Sequence, residues 1–211
     1  KVTIQPQVVC GQCYPCRHGK YNLCENLKVM GFQTTGVASH YFAVDAAKVT
    51  LLPDDMSYDE GAMIEPLAVA VHAVKQARDV KGAKIAVLGA GPIGILVAQA
   101  AKGLGAEQVM ITDVSGLRLE KAKECGVDFC VNTRNKDFGE AMTESLGPDK
   151  ADVIYDCAGN NITMGQAIKY ARKGSIIILV AVFAGLGQID LAVLNDHELD
   201  LNTSMMYRNE D

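Results

Sequence analysis

Cys10, Cys13, Cys16 and Cys24 follow one another at C-x2-C-x2-C-x7-C, a spacing that lets one short loop aim four thiolates at a single point. Whatever the early part of the chain folds into, it must close around that point. Four cysteine ligands suit tetrahedral zinc, leave no coordination position for a substrate and therefore make a structural site. Three cysteines at this spacing also open the run of a ferredoxin-type iron–sulfur cluster. That run continues x3-C-P, whereas here the fourth cysteine comes seven residues on and precedes Glu25. A disulfide framework is disfavoured because Cys125, Cys130 and Cys157 lie inside apolar segments, where reduced thiols act as small hydrophobes.

The 211 residues suffice for a sizeable core, and a hydrophobic fraction of 49% with 21% charged residues is that of an ordinary globular protein. The longest apolar run, residues 176–184, is too short to span a bilayer, so no membrane role follows. A net charge of -5 without any block of Lys and Arg lacks the electrostatic footprint of nucleic-acid binding. Small-molecule chemistry remains.

From Ala83 onward a short apolar β-rich segment, a turn and a stretch of helical period recur, as in the βα units of a parallel sheet. Six strands are expected, over residues 84–88, 108–112, 129–132, 152–157, 175–180 and 200–205, with helices over 92–104 and 117–125 among the connections. The alternation predicts a doubly wound α/β sheet. The first 75 residues read differently, with strand fragments over 2–9, 41–44 and 49–52 around the cysteine lobe. Helical signals then run from Ser57 to Gln76, opened by a capping box at Ser57 and Glu60. The first part holds too few strands to close a core, and no helix follows the last strand to cover the sheet. The chain is therefore expected to be a piece of something longer.

Directly after the expected strand KIAVL comes Gly89-Ala90-Gly91-Pro92-Ile93-Gly94, a G-x-G-x-x-G that opens a helix. In this context Gly89 makes the tight turn, Gly91 lets the backbone approach a pyrophosphate, and Gly94 permits close packing of helix on strand. Pro92 in the first helical turn gives up an N–H that would have been unpaired anyway. Asp113 ends the second strand of the sheet, 19 positions after Gly94, where an acid bonds both ribose hydroxyls and repels a 2′-phosphate, favouring NAD over NADP. The plainer reading of Asp113 is a helix cap. Arg118 lies over the adenine or is a solvated helix-face arginine.

With the cysteine lobe, the glycine motif and Asp113 in this order, the chain resembles the zinc-dependent medium-chain dehydrogenase/reductase (alcohol dehydrogenase) family. Within it, the likeness is to the branch of sorbitol, polyol, threonine and butanediol dehydrogenases. GVASHYFAV, LLPDD, GAMIEPLAVAVHAV, TDVSGLRLEKAKECG, DCAGN and MYRNED carry the likeness along the whole chain. It implies part of a GroES-like β-rich catalytic domain over residues 1–75, with the zinc lobe at 10–24, and a Rossmann NAD-binding domain over 76–211 that lacks its C-terminal continuation. The family's active site lies in the cleft between the two domains.

On residues alone Glu65 reads as a helix-start glutamate ahead of Pro66. The resemblance instead makes it a ligand of the catalytic zinc, or the partner of its water. The other catalytic-zinc residues of the family, a cysteine and a His-Glu pair, precede the lobe and do not occur in this sequence. His18, His40, His72 and His197 do not replace them, and His40 stands where the family often has glutamate.

The implied activity is NAD-dependent oxidation of a secondary alcohol or polyol to a ketone, by hydride transfer assisted by zinc. A chain of this extent is expected to be inactive alone. The nicotinamide end is expected against Cys157, Ala158 and Gly159 and against Val180, Ala181 and Val182, beyond the carboxyl ends of the fourth and fifth strands of the sheet. Met206 stands where several polyol dehydrogenases carry arginine, which leaves the choice among polyols, short diols and threonine open. The family also implies a cytoplasmic homodimer or homotetramer paired through residues 200–205. The rival readings are a non-catalytic nucleotide- and zinc-binding module and an iron–sulfur electron carrier.

Overall fold

Pro6 has no N–H to give to a ladder, and the single strand expected over residues 2–9 breaks there in the computed structural model, which describes residues 1–211. β1 (Val2–Ile4) stops before it and β2 (Gln7–Val8) starts after it. They take different partners. β2 runs antiparallel to β3 (Lys28–Val29), and β1 runs antiparallel to β4 (Val49–Leu51). Between β2 and β3 lies the cysteine lobe with its single-turn helix α1 (Tyr14–Arg17). The strand expected over residues 41–44 does not form. A strand needs a neighbour for its backbone groups, none runs alongside this segment, and Tyr41 is 95% exposed.

α2 (Tyr58–Lys75) starts on the expected capping box. The Ser57 N–H donates to Glu60 Oε2 at 2.7 Å, and the Glu60 N–H donates to Ser57 Oγ at 3.1 Å. Glu65 and Pro66 are therefore interior residues of an 18-residue helix, and the reading of Glu65 as a helix-start glutamate fails. Proline there removes the N–H that would bond the Ala62 carbonyl, a cost the helix bears in mid-length.

By backbone contact the chain forms two compact units, Lys1–Val69 with Met205–Asp211, and Ala70–Ser204. The sequence boundary at 75 and 76 differs from this division. Ala70, Ala73 and Val74 are buried in the core of the second unit, and the residues after Ser204 return to the first.

The second unit holds β5 (Lys84–Leu88), α3 (Pro92–Gly103), β6 (Gln108–Asp113), α4 (Gly116–Glu124), β7 (Phe129–Asn132) and α5 (Phe138–Leu146). It continues with β8 (Val153–Asp156), α6 (Asn161–Tyr170), β9 (Ile176–Leu179), α7 (Leu191–Asp196) and β10 (Asp200–Thr203). The strands form one parallel sheet in the order β10-β9-β8-β5-β6-β7. All six expected strands are present, four of them trimmed or extended by a residue or two where a neighbour ends.

β5 explains why an unbroken apolar run becomes a central strand. Ile85 and Val87 face a layer that includes Val97, Ala98 and Tyr155, while Ala86 and Leu88 face Met110, Phe138 and Ile154 on the other side. The strand order reverses at β5, with β6 and β7 on one side and β8 to β10 on the other. A crevice beyond the carboxyl ends of the strands at such a reversal is where this architecture binds ligands. No helix is long and apolar enough to cross a membrane.

Tyr155 is fully buried, and its hydroxyl donates to the Val74 carbonyl at 3.1 Å. Tyr155→Phe is expected to cost about 1 kcal/mol, seen as an earlier urea midpoint of the second unit at unchanged slope. An unmoved midpoint would show that the hydroxyl adds nothing.

Candidate cofactor and metal sites

The loop around α1 brings the Sγ atoms of Cys10, Cys13, Cys16 and Cys24 within 4.8 Å of one another, and no histidine or carboxylate joins them. Ligands at ~2.3 Å from a tetrahedral zinc stand ~3.8 Å apart, so the set needs only a small contraction to hold the ion. Backbone donors already point at the sulfurs. The Cys10 N–H lies 3.3 Å from Cys24 Sγ, the Cys13 N–H 3.4 Å from Cys10 Sγ, and the Asn26 N–H 3.4 Å from Cys24 Sγ. The N–H groups of Gln12 and Cys13 bring the Cys10 thiol down to about 6, whereas burial pushes Cys16 up to about 12. Crowded thiolates repel one another, and a cation at the centre is what allows all four to ionise. His18 is satisfied inside the lobe, with Nδ1 2.7 Å from the Tyr14 carbonyl and its ring stacked on Tyr14 at 4.0 Å.

Two of the three motif glycines are required by the chain itself, and the third faces open space. Gly89 turns at φ +99°, and a Cβ there would stand 3.1 Å from Ala158 N and Cβ. At Gly94 a Cβ would lie 1.9 Å from the Gly89 carbonyl oxygen, so only glycine lets α3 start against the turn. A Cβ on Gly91 would meet no protein atom within 4 Å. Nothing in the chain forbids it, and the open space on that side is the cradle a phosphate would occupy. Pro92 takes the first position of α3, and Ile93 packs on the core.

Asp113 is engaged at both oxygens. Oδ2 accepts the Ala90 N–H and Oδ1 the Ser115 N–H, each at 2.8 Å. Since Ser115 is the N-cap residue of α4, the carboxylate supports that helix start, and each oxygen keeps a further lone pair for a second donor. Arg118 Nη1 stands 3.7 Å from Asp113 Oδ2, so this arginine is neither simply solvated nor free.

A cavity of about 310 Å³ gathers Gly89, Gly91, Asp113, Arg118, Cys157 and Ala158. It is also lined by Thr112, Val114, Thr133, Asn160, Thr163 and Gln166, which the sequence reading did not single out. Asn160 and Thr163 had a visible signal. They form a capping box opening α6, directly after DCAG. Pro92, Ile93, Gly94, Gly159, Val180, Ala181 and Val182 do not line this cavity. Gly159 instead carries the β8 loop against the β9 loop, where its Cβ would come within 2.6 Å of Ala181 Cβ and 3.4 Å of the Val182 carbonyl oxygen. Burial pushes the Cys157 thiol far up, as for a small hydrophobe.

In the first unit, Glu65 shares a cavity of about 290 Å³ with Thr3, Gln5, Thr50, Tyr207 and Arg208, among others. Burial raises the Glu65 carboxyl above its ordinary range, and a hydrogen bond from the Tyr207 hydroxyl opposes that. Tyr207 is held in turn by the fully buried Gln7, whose Nε2 donates to the Tyr207 carbonyl at 2.9 Å.

Comparison with known proteins places this geometry. The zinc-binding dehydrogenase family matches residues 92–211, more than half of the chain, and the alcohol dehydrogenase GroES-like domain matches residues 1–54. The chain belongs to the zinc-binding dehydrogenase family. Sorbitol dehydrogenase of Bacillus subtilis is 33% identical over 212 residues, covering 99% of this chain and 60% of that protein. A structure from Escherichia coli CFT073 described as a short chain alcohol dehydrogenase, complexed with NADH, superposes with a TM-score of 0.92 at 30% identity. It covers 99% of this chain and 62% of that one. A zinc-binding dehydrogenase from Sinorhizobium meliloti bound to NADP also gives 0.92, at 29% identity over 99% and 62% of the two chains. The chain thus spans about 60% of the length of the relatives it matches. A nicotinamide dinucleotide and zinc are the cofactors of this family.

Replacing one of four thiolates leaves an incomplete tetrahedron. Cys13→Ser is expected to lose zinc and loosen the lobe while the second unit keeps its melting behaviour. A full equivalent of zinc retained by the variant at nanomolar free metal would contradict the four-thiolate site.

Proposed function

We propose that the protein of which this chain is part is an NAD-dependent, zinc-dependent dehydrogenase that oxidises a secondary alcohol or polyol to a ketone. The observation that carries this reading is Asp113, a buried acid at the end of β6 that borders the same cavity as Gly89 and Gly91. Its carboxylate, already fixed by Ala90 and Ser115, accepts the two ribose hydroxyls of NAD and disfavours a 2′-phosphate. The backbone at Gly91 and the first turn of α3 receive the pyrophosphate. Cys157, Ala158 and Gly159 with Val180, Ala181 and Val182 present main chain to the nicotinamide end. Cys10, Cys13, Cys16 and Cys24 hold a structural zinc.

When bound, the dinucleotide and a catalytic zinc supply a hydride acceptor and a Lewis acid that acidifies the substrate hydroxyl. Glu65 stands at that centre as ligand or as partner of its water, with Tyr207 fixing its carboxylate. The likeness to a sorbitol dehydrogenase supports a polyol or related secondary alcohol as substrate.

Asp113→Gly tests the reading, because it deletes both the ribose acceptor and the charge opposing a 2′-phosphate. NAD affinity is expected to fall at least about tenfold, and preference to move toward NADP by a similar factor. An unchanged NAD to NADP ratio would remove the proposed role.

The protein is further proposed to dimerise through β10. This strand pairs only with β9, leaving one row of N–H and C=O groups at the sheet edge. Thr203→Pro deletes a ladder donor and should lower the dimer fraction in sedimentation without changing cofactor affinity. A strictly monomeric parent at micromolar concentration would rule the pairing out.

A further inference from the structure

Asp156 ends β8 and is fully buried, yet it lines neither the cavity at Asp113 nor the one at Glu65. A buried carboxylate survives only where donors surround it. Asp156 Oδ1 accepts the N–H groups of Ala158 at 3.0 Å and Gly159 at 3.1 Å, and Oδ2 accepts the Thr163 hydroxyl at 3.2 Å. Its main-chain carbonyl accepts two more, from Val180 and Ala181, each at 3.0 Å. One residue therefore ties down the loop after β8 and the loop after β9 together.

Those loops have little room to move apart or together. Gly159 sits at φ +69°, with the place of its missing Cβ 2.6 Å from Ala181 Cβ. Ala158 in turn closes on the glycine turn, 3.1 Å from where a Gly89 Cβ would be. Ala158 and Thr163 face the 310 Å³ cavity while their common partner lies behind them.

We propose that Asp156 is a positioning residue whose carboxylate shapes the nicotinamide half of the cofactor site by holding from behind the loop after β8, on which the loop after β9 packs at Gly159 and Ala181. The inference rests on the reading of that cavity as an NAD site. Two carboxylates thereby divide the labour, Asp113 serving the adenosine half and Asp156 the other half.

Binding of NAD and of AMP to the chain, measured side by side by calorimetry, tests it, because AMP occupies only the adenosine half. Asp156→Ala leaves the N–H groups of Ala158 and Gly159 without their acceptor. It should weaken NAD by about 10- to 100-fold while AMP stays within about twofold. Asp156→Asn should remain within about threefold of the parent for both ligands. Its Oδ1 still accepts both N–H groups, and its Nδ2 donates to Thr163 Oγ1, whose proton turns to the Asn160 carbonyl 3.1 Å away. Should Asp156→Ala fail to fold, Asp156→Leu, which fills the same space without an acceptor, replaces it with the same outcomes expected.

NAD unchanged in the alanine or leucine variant overturns the inference, as does an equal loss of NAD and AMP, which would mark a general structural role. An asparagine variant as weak as alanine overturns positioning by hydrogen bonds. A parent chain that binds neither ligand defeats the cofactor reading and this inference with it, whereas a parent that binds both isolates Asp156.

Discussion

The second unit is organised by one main-chain contact, the approach of Gly94 to the Gly89 carbonyl, where a single added carbon would lie 1.9 Å from oxygen. No rotamer relieves a clash with backbone. The contact lets α3 begin directly on the turn that leaves β5, so the unpaired N–H groups of its first turn aim out of the sheet's carboxyl edge. The same turn fixes where Ala158 can pack and brings the Ala90 N–H to Asp113. Turn, helix start, acid and neighbouring loop are one construction, and a shift in any part is felt by the rest.

Two carboxylates, Asp113 and Asp156, end neighbouring parts of the sheet and show how buried charge is tolerated here. Asp113 accepts one N–H from its own loop and one from the glycine turn after β5, each at 2.8 Å, and Asp156 accepts two from its own loop, at 3.0 and 3.1 Å. Such bonds offset desolvation and convert a costly charge into a fixed reference point for irregular backbone. The cysteine lobe solves the corresponding problem for four sulfurs with backbone N–H donors and room for one cation.

Much of this was legible in residues because it rests on local chemistry. Apolar runs such as Ile85 to Leu88 announce a strand buried on both faces, and glycine spacing announces a turn that side chains would block. What was not legible depended on partners distant in sequence. Residues 41–44 alternate like a strand but have no neighbour, and residues 2–9 divide because Pro6 lets the two halves choose different partners. Thr133, just after β7, and Gln166, on α6, line the cavity at Asp113 through packing between elements distant in sequence, which no spacing rule encodes. Arg118 was open between two readings, and its ion pair with Asp113 at 3.7 Å is a third feature that neither reading contained.

The first unit is discontinuous in sequence, which bears on the order in which the chain folds. Gln7 holds the Tyr207 carbonyl across 200 positions, and Asn22 holds the Met205 carbonyl across 183. Closing loops of that length in a disordered chain carries the largest entropic cost and comes late. Within the second unit, however, Arg78 and Asp200 stand 3.8 Å apart, so once that unit has folded most of the intervening chain no longer counts as loop. The cysteine lobe precedes the second unit in sequence, but the pocket around Glu65 must wait for Tyr207 and Arg208, which follow it. Folding of the second unit thus shortens the loop that closure of the first unit has to bear.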